Sequence, residues 1–172
     1  MKEFAAWLST SAPSLLIQRN EAWLIPAVQS IHIIGIGVVL ACVLMMTLRM
    51  LGVAGVDCTL LQTQRRFGPW LLGALLLLLA TGLILIVGEP SRELLSFSFW
   101  LKMVLVACGS TLAIWFQYSL RRHELAWESR LAQRVTARAL AALAVLIWIA
   151  IIFLGRFIAY DHIWGSWSGS HA

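Results

Sequence analysis

Charge is scarce in this chain. Only 12% of its 172 residues are Asp, Glu, Lys or Arg, against 60% hydrophobic residues, and mean hydropathy is +0.85. A water-soluble domain of this size could not bury so much apolar surface, so the solvent must be lipid. Acids are rarer than bases, 8 against 13. The carboxylates Glu89, Glu93 and Asp161 fall at boundaries and in loops. There is no paired carboxylate, no nucleophile–base pair and no Gly-rich phosphate loop, so the chain holds no catalytic constellation of its own. Cysteine is equally uninformative. Cys42, Cys58 and Cys108 stand alone without a Cys-x-x-Cys, which argues against a disulfide framework or a zinc site and leaves them as small apolar residues. The basic excess forms no stripe interleaved with exposed aromatics, so no nucleic acid partner is implied.

What the chain does have is long apolar runs. Crossing hydrocarbon takes about 20 helical residues at ~1.5 Å each. Four stretches qualify: 23–48, 70–88, 99–119 and 139–160. They predict an all-α fold, an integral membrane four-helix bundle over residues 23–160, followed by a polar tail at 161–172. Residues 1–22 do not form a cleavable signal peptide, because Lys2 and Glu3 nearly cancel and Ser9–Ser14, with Pro13, interrupts the first apolar patch. Phe4, Trp7, Leu8, Leu15, Leu16 and Ile17 suit a short segment lying in the headgroup layer. Pro26 sits in the first turns of the first span, where a missing amide costs least.

Orientation follows from Lys and Arg. Arg49, Arg65 and Arg66 join spans 1 and 2, and Arg121, Arg122, Arg130, Arg134 and Arg138 join spans 3 and 4. The other side has Lys2, Arg19 and Arg92. The basic loops are therefore expected in the cytoplasm and both termini outside, as N-out/C-out in a bacterial inner membrane. Trp23, Trp100, Trp164 and Trp167 fit the outer aromatic belt, Trp70 and Trp127 the inner one. Residues 121–138, with Glu124 and Glu128 one turn apart, continue helically as a solvated extension.

Within the spans the polar residues gather in one layer. His32 lies about 6 Å to the outer side of its span's midpoint, and Lys102 and Arg156 about 10 Å out. Thr81 and Gly82 of span 2 fall in the same half. An ionisable residue inside a bilayer is a functional-site hypothesis. The plainer alternatives are snorkelling or local pairing for Lys102 and Arg156, and an interhelical hydrogen bond, to Thr81 for instance, for His32. Gly35, one turn beyond His32, either permits tight helix packing or admits a flat ring. An imidazole flanked by cations suits haem b, with His32 as the iron ligand, or a quinone headgroup. A second axial ligand would be His162, about 13 Å nearer the outside than His32 by the same rise, or Met103.

The runs Ile31-His32-Ile33-Ile34-Gly35, Leu48-Arg49-Met50-Leu51-Gly52, Thr81-Gly82, Phe99-Trp100-Leu101-Lys102 and Gly155-Arg156-Phe157-Ile158-Ala159-Tyr160 resemble those of a family of small four-helix bacterial inner-membrane proteins with no assigned function. The resemblance spans residues 20–160 and implies that His32, Arg49, Lys102 and Arg156 are its recurring polar positions. More distantly the arrangement is similar to four-helix b-type cytochromes. Three functions are thus expected to compete. One is a redox subunit binding haem b or a quinone around His32, Gly35, Thr81, Lys102, Arg156 and His162, with a periplasmic redox partner. Another is an anion or solute carrier using His32, Lys102 and Arg156. The last is a non-catalytic homo-oligomeric or accessory subunit whose polar layer only joins helices.

Overall fold

The computed structural model describes residues 2–122 and 135–157. Among them every regular element is helical: α1 (Lys2–Ser9), α2 (Ala12–Arg19), α3 (Glu21–Leu51), α4 (Leu60–Gly88), α5 (Pro90–Leu94), α6 (Phe97–Arg122) and α7 (Val135–Phe157). Four are long and apolar enough to cross a membrane: α3, α4, α6 and, from Ala139, α7. Their outward faces are greasy. On α4, Leu72, Leu76, Leu79 and Leu83 are all exposed, a surface that hydrocarbon tolerates and water does not.

Local signals explain the ends. Gly52 closes α3 in the left-handed region (φ 69°), and the amides of Gly52 and Val53 return to the carbonyls of Arg49 and Leu48. That geometry favours a residue without a Cβ. Thr59 opens α4 with a capping box: its hydroxyl accepts the Gln62 amide at 3.2 Å, and the Gln62 side chain accepts the Thr59 amide at 2.9 Å. This cap starts α4 at Leu60, ten residues before the span expected from Trp70. The helix runs on through Gly68 and Pro69. Arg49 therefore belongs to the last turn of α3, and Arg65 and Arg66 to α4; the connecting loop is only 52–59. Between α4 and α6, Pro90 begins the one-turn α5, and the Ser96 hydroxyl accepts the Phe99 amide at 3.1 Å to start α6. The expected interfacial segment is two short helices, with Pro13 in the first turn of α2.

The long helices form a ring in which α3 packs extensively on α4 and α7, and α6 on α7, while α4 and α6 meet sparingly. The central core is Val39, Cys42, Val43, Leu71, Ala74, Trp148 and Ile151. Small residues admit the closest approaches. A Cβ on Gly109 of α6 would stand 3.1 Å from Ile147 of α7, and one on Gly35 of α3 would stand 3.0 Å from Leu78 of α4. At one end, Ala5, Leu94 and Phe99 fasten α1 to α5 and α6. At the other, Met50, Leu60, Leu120 and Ala141 bring all four long helices together.

Candidate functional site

The α3–α4 seam is built from side chains at alternating three- and four-residue spacing. On α3 these are Val28, His32, Gly35, Val39, Cys42 and Met46; on α4, Leu71, Ala74, Leu78 and Thr81, with Gly88 seven residues on, against Ile25. Such spacing keeps one stripe of each helix against its neighbour. His32 and Thr81 are opposed positions in that seam, whereas Ile31, Ile33 and Ile34 beside the histidine face outward. The imidazole is thereby turned into the bundle by the helical repeat itself.

His32 Nδ1 lies 2.7 Å from Thr81 Oγ1. Thr81 is buried, and its hydroxyl also stands 2.7 Å from the Leu77 carbonyl one turn back. A hydroxyl has one proton. Given to the Leu77 carbonyl, it leaves Thr81 to accept Nδ1–H from the ring, which puts the imidazole lone pair on Nε2. Gly82 stands beside the ring: an added Cβ would come 3.7 Å from His32 Cε1. Gly35 is buried under Leu78, so of its two expected roles the structure gives it tight helix packing.

Lys102 is half-buried in α6 with its ammonium 5.5 Å from the Phe99 ring centroid, a cation–π contact one turn back. Its charge reaches both His32 and Glu93 of α5. Burial pushes the Glu93 carboxyl above the ordinary glutamate range; Lys102 and Arg92 pull it down and Glu89 pushes it up. Glu89 itself is bonded to Arg92 at 2.6 Å.

His32, Thr81 and Gly82 therefore meet in the seam, and the charge of Lys102 acts both on His32 and on Glu93, which sequence reasoning had left at a boundary. Arg156 does not join them: it is exposed in the last turn of α7 and makes no hydrogen bond or ion pair with them. His123, His162 and His171 lie outside the described residues, as do Asp161, Tyr160, the 161–172 tail, Trp127, Trp164, Trp167, Glu124, Glu128, Arg130 and Arg134. Met103 faces outward on α6. No group of three His, Cys, Asp or Glu side chains suited to a metal occurs among the described residues.

Two other features are separate from this site. A cavity of about 60 Å³ is walled by Met46, Leu71, Gly109, Ala113 and Trp148 among others, with Thr47 its one polar side chain and no charged one. Toward the opposite end, Gln64 of α4 donates to Gln117 of α6 at 3.2 Å, and both are buried. The Gln64 carbonyl oxygen and the Gln117 amide nitrogen meet no partner among the described residues. Gly68 makes room for the pair, since a Cβ there would fall 2.6 Å from Gln64 Nε2.

No curated protein and no solved structure matches the chain significantly. A family model does, over residues 4–161, which take in every long helix and the whole His32–Thr81–Lys102 cluster. The chain belongs to this family, DUF6644, a family of unknown function.

Proposed function

We propose that the chain is a membrane-embedded redox subunit that binds a quinone headgroup beside His32 and Lys102. It passes electrons to or from a periplasmic partner. The observation that carries this reading is the 2.7 Å contact of His32 Nδ1 with Thr81 Oγ1: with Nδ1–H given to Thr81, Nε2 is left as a proton acceptor within reach of the Lys102 charge. A quinol hydroxyl donates to such a nitrogen. A quinone carbonyl, or the oxyanion left when the hydroxyl loses its proton, accepts from Lys102. Glu93, half-buried within range of the Lys102 charge, stands where a proton can leave toward the headgroups.

The orientation belongs to the same proposal. Arg49, Arg65, Arg66, Arg121 and Arg122 cluster at the end of the bundle away from His32. With that end in the cytoplasm of a bacterium, His32 sits in the periplasmic half of the inner membrane and both termini are outside.

The test is direct. Purified full-length protein is titrated with a short-tailed quinone while tryptophan fluorescence is followed. His32→Ala and Lys102→Met are each expected to weaken binding about 10- to 100-fold, as loss of a hydrogen bond to a charged or fixed polar group does. Absence of binding, or unchanged affinity in both variants, refutes the reading. Haem b is favoured by one detail, a ring anchored through Nδ1–H in the manner of iron-ligating histidines. It predicts a Soret band that disappears in His32→Ala. A colourless protein stabilised only by anions would indicate the carrier instead. Indifference of every readout to both substitutions would indicate an accessory subunit.

A further inference from the structure

We propose that the cavity in the half of the bundle away from His32 is a binding site for a small neutral molecule, one oxygen on a short hydrocarbon body, of the chemical class of a short-chain alkanol. Thr47 holds the oxygen and the apolar walls hold the rest.

The cavity, of about 60 Å³, is walled by α3, α6 and α7, with Leu71 contributed by α4. Its α3 residues begin at Val43, three turns beyond His32 and ~16 Å along the helix axis, so it is a separate place in the fold. Small residues in a membrane bundle ordinarily let backbones approach. Gly109 does that, since a Cβ there would stand 3.1 Å from Ile147 of α7. Ala113, Ala141 and Ala144 line the cavity, and their short side chains leave the space. It is well below the ~300–1,000 Å³ of sites that enclose a drug-sized ligand, so the body it takes is a few carbons long.

The wall decides the chemistry. It carries no charged side chain, which excludes an ion as the occupant. Its one polar side chain is Thr47, only 6% exposed. The Thr47 hydroxyl makes no hydrogen bond among the described residues. Thr63 and Thr81, also buried, donate back to the carbonyls of Thr59 and Leu77 one turn earlier. Thr47 does not, and its oxygen is not walled in as the orphaned atoms of Gln64 and Gln117 are. The space it opens to is the cavity. A plain alkane gains little by leaving acyl chains that are as apolar as these walls. A hydroxyl dissolved among acyl chains, by contrast, lacks a partner, which is costly. Thr47 supplies one within the hydrocarbon, accepting an alcohol's proton or donating to its oxygen. Met46 and Met50, unbranched and adaptable, accommodate the chain.

The experiment uses the full chain in neutral detergent and a short alkanol carrying a photoreactive diazirine. Light attaches the probe to the residues it lies against, and peptide mapping reads where. Label is expected on residues 43–50, 109–116 and 140–148, the segments that wall the cavity, and excess 1-butanol is expected to displace it. Thr47→Val keeps the shape of the side chain and cuts no hydrogen bond, so it is expected to fold as wild type and is the variant that decides. It is expected to raise the half-saturating probe concentration about three- to tenfold, the loss of one hydrogen bond. Ala144→Leu, which fills the cavity, is expected to abolish the label. His32→Ala is expected to leave it unchanged, which keeps this result independent of the quinone reading. Label confined to outward-facing residues such as Leu76 and Leu146 overturns the site. Label in the cavity that pentane displaces as well as 1-butanol does, or that Thr47→Val leaves unchanged, overturns recognition of the oxygen and with it the proposal.

Discussion

Replacing Thr81 by Val keeps the branched shape of the side chain and removes only its hydroxyl, which isolates the hydrogen bond to His32. Interhelical bonds of this kind contribute about 0.6 kcal/mol on average and up to about 1.7 in membrane proteins. The 2.7 Å length, and a Thr81 side chain only 5% exposed, place this bond in the upper part of that range, about 1 to 1.7 kcal/mol. A double-mutant cycle separates it from everything else. Thr81→Val also loses the back-bond to the Leu77 carbonyl, and His32→Ala also leaves a void, but both side effects occur in either background and cancel. Unfolding of wild type, the two singles and the double in mixed micelles should yield that coupling, about a five- to twentyfold effect on the folding constant. Thr81→Ser, which keeps the hydroxyl, should retain most of the stability that Thr81→Val loses. A coupling no larger than the ~0.3–0.5 kcal/mol scatter of independent sites would refute the bond, and with it the assignment of the Nε2 lone pair.

The Gln64–Gln117 pair is half satisfied, so each single Leu substitution should destabilise by about 1–3 kcal/mol by stranding its partner, while the double Leu variant should be near neutral or more stable than wild type. A double variant as unstable as the worse single would contradict this. Glu93 supplies a pH dependence. Its folded carboxyl titrates above its unfolded value, so its contribution to stability is fully present below the ordinary glutamate range and is lost as pH rises through the raised value. Thermal midpoints measured from about pH 4 to about pH 7 should therefore fall more steeply for wild type than for Glu93→Gln; parallel curves would show that the carboxyl is as well solvated as in the unfolded chain.

How much of this was legible in the sequence depended on the length scale of the signal. Twenty-residue apolar runs are unmistakable, so the four helices long and apolar enough to cross a membrane were found. Counting rise along each helix also put His32 and Thr81 in the same half of their spans, and the two side chains do meet. Facing is a finer matter. Val28, His32, Gly35 and Val39 repeat at four- and three-residue steps, as do Leu71, Ala74, Leu78 and Thr81, and those paired stripes could have named Thr81 as the partner of His32 outright. Height alone put Arg156 with them, yet the exposed Arg156 shows that equal depth does not imply a shared interior. The start of α4 was missed because a hydropathy window stops at Arg65 and Arg66, while Thr59-x-x-Gln62 is a helix-start motif that ignores hydropathy. Glu93 was out of reach, because its environment depends on how the α4–α6 connection folds back toward Lys102.

The sparse meeting of α4 and α6 has a consequence for any measurement on this protein. The ring of helices is thinnest along that side, so under the quinone reading proposed above a ligand would enter sideways from the acyl chains, with no aqueous step. A greasy solute arriving this way is governed by its mole fraction in the surrounding amphiphile, and diluting the sample with more detergent lowers occupancy even when the total concentration in the cuvette is held constant. Affinities measured to test the proposed His32 site would then be comparable between preparations only when expressed per mole of lipid or detergent.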